Sequence, residues 1–95
     1  MEYELHFQEG FTGETVTVAV DGSVVARFQA STRMQTGLAH IERLHLLPGQ
    51  EVTVHAGDEP GGATIAVDES HPFVVINREE DRLVVGATER SPGYL

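Results

Sequence analysis

The 95-residue chain has no cysteine, so disulfides and thiolate catalysis have nothing to carry them. It has no lysine either, and its six cations are all arginine. Schiff-base chemistry and the phosphate-gripping lysine of a P-loop are excluded with it. Tryptophan is absent and basic charge is scarce: fifteen Asp and Glu leave a formal net charge of -9. A surface this acidic repels phosphate backbones and anionic lipid, so neither nucleic acid nor a membrane is an expected partner. Its plain consequence is solubility. No apolar run approaches the roughly 18 residues of a membrane span. The opening "MEYELHFQ" carries two glutamates and no apolar stretch, unlike an export signal. The expectation is a cytoplasmic protein.

What is present is valine, threonine and isoleucine in short alternating runs, punctuated by ten glycines and four prolines. That is the composition of strands joined by tight turns. A chain of this size forms one domain, residues 1–95, burying roughly 60–65 % of its unfolded surface. Eight strands are predicted, at about 2–8, 14–20, 23–29, 38–47, 51–56, 63–68, 73–79 and 82–88. The first places Tyr3, Leu5 and Phe7 on one face and Glu2, Glu4 and His6 on the other, as an edge strand would. The last two, with apolar residues at consecutive positions, read as central strands covered on both faces. Asp21-Gly22 is a hairpin turn between β-branched runs. A two-residue turn sets Val16 opposite Arg27. A three-residue loop sets Val20, Val18 and Val16 opposite Val24, Ala26 and Phe28, which gives the more uniform apolar face. The acids at 58–59, 68–69 and 79–81 read as solvated turn charges, and "GDEPGG" at 57–62 as an exposed loop. Tyr94 and Leu95 are placed back against the core.

The stretch His40–His45, "HIERLH", has the look of a metal motif. As a helix, residues 38–47 scatter their apolar side chains around the whole circumference and leave no polar face. As a strand, Ala39 and Ile41 share one face while Leu44 and Leu46 share the other. A bulge between Glu42 and Arg43 would return all four to the core. The strand is the preferred reading, the helix the alternative. In the bulged strand His40, Glu42 and His45 lie together on the outer face. His40 and His45 are then about 13 Å apart, too far for one zinc ion. Pairing of 44–46 with 52–54 would bring His45 diagonal to His55, about 7 Å away, the one arrangement with metal-binding potential. His6 and His71 are read as surface or turn residues. No nucleophile elbow or serine–histidine arrangement is evident. Neither a catalytic residue nor a cofactor is expected, and the chain is not read as an enzyme.

The connection "STRMQTG", residues 31–37, is long for a sandwich and mixes Arg33, Met34 and Gln35. Loops on rigid sandwiches often carry recognition. The candidate ligand-binding residues are therefore Thr32, Arg33, Gln35, His40, Glu42, His45 and His55.

Residues 13–56 resemble the carboxypeptidase-regulatory-like and transthyretin-like (prealbumin-like) sandwiches. The carriers are "VTVAVDG", Thr32, "TGLA" at 36–39 and "LLPGQEVTV" at 46–54. Two positions depart from those families: Arg33 stands where an Asp often follows the Thr, and Val52 where an aromatic often follows the Pro-Gly turn. The resemblance implies an accessory or binding module and transfers no catalytic residue. The expected fold is an all-β, immunoglobulin-like or prealbumin-like β-sandwich of seven to eight mostly antiparallel strands. The expected function is a small acidic non-catalytic interaction module with a protein or small-molecule partner, present as a monomer or weak homodimer. The alternatives are a divalent-metal protein using the strand histidines and a self-associating structural domain.

Overall fold

The computed structural model describes residues 1–58 and 62–93. The middle of the 57–62 loop, and the packing expected for Tyr94 and Leu95, lie outside the described residues. Eight strands run in order: β1 (Glu2–Phe7), β2 (Thr12–Val20), β3 (Ser23–Ser31), β4 (His40–His45), β5 (Glu51–Ala56), β6 (Ala63–Ala66), β7 (Phe73–Glu79) and β8 (Arg82–Thr88). They form two four-stranded sheets, β4-β1-β7-β8 and β3-β2-β5-β6. β1 and β7 are parallel, and the remaining pairs are antiparallel. Alternation in the sequence becomes burial between the sheets. Tyr3, Leu5, Phe7, Val74 and Ile76 of the first sheet meet Val16, Val18, Val52, Val54 and Ile65 of the second. Among the described residues, no buried side-chain nitrogen or oxygen is left without a hydrogen-bond partner, and no helix is long and apolar enough to cross a membrane.

The Asp21-Gly22 hairpin combines both registers expected of it. Both turn residues have positive φ, 48° and 86°, and Val20 pairs directly with Ser23 across a two-residue connection. A register shift after Val18 then leaves Val25 without a partner, and Val18 meets Ala26 and Val16 meets Phe28. The tight turn is kept, and the bulge restores the apolar face that the turn alone would have lost.

Three expectations are corrected. β1 lies inside its sheet, between β4 and β7, rather than at an edge. Its outer-face His6 is therefore buried, 1 % exposed, with its ring edge-on to Phe73. β8 is the edge instead: its consecutive apolar residues leave Val84 39 % and Val85 37 % exposed. β4 has no bulge. Its six residues pair with β1 without interruption, from Glu2↔His45 to Phe7↔His40. A continuous six-residue ladder to β1 outweighs the burial of one isoleucine. Ile41 consequently points to the outer face, where it is half-buried opposite His6. Leu44 stays on the core side opposite Tyr3.

The β7–β8 turn is tight as well, but Glu80 and Asp81 occupy its positive-φ positions, at 49° and 64°. Left-handed backbone costs a side-chain-bearing residue about 1–2 kcal/mol. Replacing Glu80-Asp81 by Asn-Gly, the preferred pair for this turn, is expected to raise stability by about 1 kcal/mol. The exposed Arg78–Asp81 ion pair at 2.8 Å is worth less than that. Thermal melts check this: a rise of several degrees is expected, and a fall would show that the turn is not strained.

Candidate functional site

The unbroken β4 ladder decides where the candidate residues go. With Tyr3, Leu5 and Phe7 facing the core, their partners Leu44, Glu42 and His40 face the same way. His40 and Glu42 are thus on the inner side of an edge strand, not on the outer face expected for them. β3 is the edge of the other sheet, and its Phe28 comes across to meet them. The His40 and Phe28 rings stack with centroids 3.7 Å apart and planes 22° from parallel. Phe7 closes the stack from the core, 5.1 Å from Phe28 and 6.3 Å from His40. His40 Nε2 lies 2.9 Å from Glu42 Oε1. The other ring nitrogen of His40 has no partner among the described residues. Both side chains keep access to water, at 32 % and 25 % exposure. The result is a seam along one side of the sandwich, apolar at its floor and carrying an imidazole–carboxylate pair at its rim.

The 32–39 connection stands at the end of this seam. Thr32 is its anchor: its hydroxyl donates to the Gln8 carbonyl at 2.6 Å and accepts the Phe11 amide at 3.0 Å. Thr32 thereby ties the start of the connection to the 8–11 loop. The loop closes with Arg33 N donating to Leu38 O and Gly37 N to Arg33 O. Gly37 has φ 69°, and a β-carbon there would meet the Glu9 carboxylate at 2.5 Å. Arg33 and Gln35 are exposed, and Met34 between them is 100 % exposed.

The remaining two candidates lie elsewhere. His45 is exposed on the outer face of the first sheet, opposite Glu2. His55 is exposed on the outer face of the second, opposite Thr17. The expected diagonal between them fails because β5 pairs with β2 and β6, never with β4. His55 sits over Gly62, whose missing β-carbon would fall 2.7 Å from Nδ1. Among the described residues no group of three or more metal-ligating side chains converges.

Two features went unseen in the sequence. One is Phe28, the aromatic floor of the seam. The other is a second imidazole–carboxylate pair, His6 Nε2 to Glu4 Oε1 at 2.9 Å, with Arg43 Nε 3.8 Å from the same carboxylate. The signal for both pairs was available: Glu4/His6 and His40/Glu42 are two apart on strands, hence on one face.

Charges away from the seam set the pH response. The Asp68 carboxyl is held below its ordinary 3.8, first by the Ser70 amide and then by His71. Burial pushes Glu14 up, but hydrogen bonds from Thr12 and nearby backbone amides outweigh it and leave it below its ordinary 4.5. Burial, aided by the Asp68 charge, pushes the Tyr3 hydroxyl above its ordinary 10.0. The unfolded chain therefore holds acid protons more tightly and loses the tyrosine proton sooner. Stability falls as pH drops through the carboxylate range, and falls again as it rises past about 10. The acid limb is shallow because both carboxylates are solvated. In Tyr94→Phe protein, tyrosinate absorbance should appear only above the ordinary value and together with unfolding. Its appearance at the ordinary value in folded protein would contradict the burial of Tyr3.

No family model, curated protein or solved structure matches the chain.

Proposed function

We propose that the chain is a small acidic, non-catalytic interaction module of prealbumin-like type. It holds a partner at the β3–β4 seam, and its setting is the cytoplasm. The observation that carries this reading is the His40–Glu42 pair on the inner side of β4, set against the stacked Phe28 ring. The connection that leads into β4 carries the exposed Arg33, Met34 and Gln35. The chemistry of the seam suits a protein segment or small molecule that pairs an apolar group with a hydrogen-bond donor. Phe28 and Met34 supply the apolar surface, and Glu42 with the open imidazole nitrogen supplies the acceptors. The strand order favours the prealbumin-like type over the immunoglobulin-like one. Immunoglobulin domains pair their first two strands within one sheet, whereas β1 and β2 lie in opposite sheets here. The metal reading loses its geometric support with the separation of His45 from His55.

A library of small aromatic amines and amides, screened by 1H–15N NMR, tests the proposal. Shifts are expected at residues 33–38, His40 and Glu42, and are expected to vanish in Glu42→Gln with the fold intact. Hits clustering on another face, or turnover by the pure protein in a hydrolase screen, would refute it.

A further inference from the structure

β4 ends its sheet, and the ladder to β1 decides which of its backbone groups are open. Met1 and Leu46 exchange two bonds, Met1 N to Leu46 O at 2.8 Å and Leu46 N to Met1 O at 2.9 Å. Bonded pairs recur at every second residue of an antiparallel ladder, so Leu44 bonds to Tyr3 and Glu42 to Leu5. The far side of β1 agrees. Glu4 N donates to Pro72 O and Gln8 N to Ile76 O, so its even-numbered groups turn to β7 and its odd-numbered ones to β4. Ala39 N donates to Phe7 O and closes the ladder at that end. Ile41, Arg43 and His45 are left with amides and carbonyls directed out of the sheet. Among the described residues no strand meets them.

A strand added here would continue both faces of the sheet. Its residues opposite Ile41, Arg43 and His45 would bond to β4 and turn outward. Those opposite Leu44, Glu42 and His40 would turn inward, over the seam. The three inward positions differ in character. Leu44 packs against the core. Glu42 is 25 % exposed, and its one ion-pair partner among the described residues is the His40 imidazole, so no arginine neutralises it. His40 carries the stacked Phe28 ring.

We propose that this edge takes an extended segment of a partner protein as an added antiparallel strand. The segment carries an apolar side chain opposite Leu44, an arginine or lysine opposite Glu42 and an aromatic opposite His40. The inference rests on the reading of the seam as a binding site and names the class of partner. Bonds to Ile41, Arg43 and His45 supply affinity, and the alternate inward positions supply selectivity. A basic segment is also drawn to a chain of net charge -9. A second copy is a poorer occupant. The antiparallel register that uses all three open residues of both copies sets Arg43 against Arg43, and like charges directly opposite repel.

The probe is the capped heptapeptide Thr-Leu-Thr-Arg-Thr-Phe-Thr, titrated into 15N-labelled protein and followed by amide hydrogen exchange. In the free protein the amides of Ile41, Arg43 and His45 should exchange quickly while those of Glu42 and Leu44 are protected. The peptide should slow the first three. N-methylation of the peptide threonine that precedes its arginine blocks a bond to Arg43 and should weaken binding about tenfold or more. N-methylation of the arginine, whose amide turns to solvent, should change it little. Glu42→Gln should weaken binding by up to about fivefold, because the backbone bonds remain. Unchanged exchange at Ile41, Arg43 and His45 in millimolar peptide would overturn the proposal, as would equal losses from the two N-methyl peptides. So would a doubled mass of the free protein with these amides already protected, which would give the edge to a second copy. Peptide that shifts His40 and Glu42 while the three amides keep exchanging would overturn the strand pairing and leave the seam standing. Absence of shifts there with the small amines would remove the seam itself.

Discussion

Phe7→Ala is expected to lose about 3–5 kcal/mol of unfolding free energy, measured by urea denaturation. Phe7 is fully buried, and its ring meets those of Phe11 at 5.8 Å and Phe28 at 5.1 Å, both edge to face. Removing it takes away the transfer energy of a large side chain and leaves a cavity where both sheets meet the seam. A domain of this size has a total stability of about 5–15 kcal/mol, so the variant is expected to be partly unfolded at physiological temperature. Phe7→Leu keeps most of the volume and should lose about half as much. If Phe7→Ala lost less than about 1 kcal/mol, Phe7 could not sit between the sheets. The same substitution removes the inner support of His40, so the His40 ring resonances should shift in whatever folded fraction survives.

Gly10→Ala is expected to cost about 3–5 kcal/mol, although it adds a single methyl group. Gly10 has φ 88°, and a β-carbon there would overlap the Arg78 carbonyl oxygen. The loop would have to move off β7. It would then strain the bonds from Arg78 N to Glu9 O at 2.9 Å and from Glu9 N to the Asn77 side chain at 2.8 Å. Gly22 supplies the control. Its φ is nearly the same, 86°, but a β-carbon there meets nothing within 4 Å. Gly22→Ala should therefore show the conformational cost alone, about 1–2 kcal/mol. Equal losses at the two positions would mean that steric overlap at Gly10 plays no part.

The strands were legible in the sequence because period-two burial marks β1, β2 and β5 and turn residues bound the rest. The Tyr3-Leu5-Phe7 and Val52-Val54-Ala56 faces are observed as expected. Edge and centre were less legible. Glu2 and Glu4 look like edge protection, yet β1 is central; nothing local in the chain reveals that β4 and β7 flank it. β8 was misplaced for the converse reason: its consecutive apolar residues suit a strand covered on both faces, yet it lies at the edge. The seam was legible in half. His40 and Glu42 stood out by residue type. Their face depended on whether β4 is bulged, and that is settled by the ladder to β1, a long-range pairing. Phe28 was invisible as a site residue because its role exists only where an edge strand of one sheet crosses an edge strand of the other. His45 and His55 were drawn together by an assumed hairpin, whereas the chain changes sheets between them.

The placement of His40 on the inner face of β4 underlies the seam and everything proposed for it. A NOESY spectrum of the folded protein tests that placement most directly. Cross-peaks from the His40 imidazole protons to the Phe28 ring, with weaker ones to Phe7, are the predicted result. Cross-peaks from His40 to the outward side chains of His6 or Val75, with none to Phe28, would contradict it.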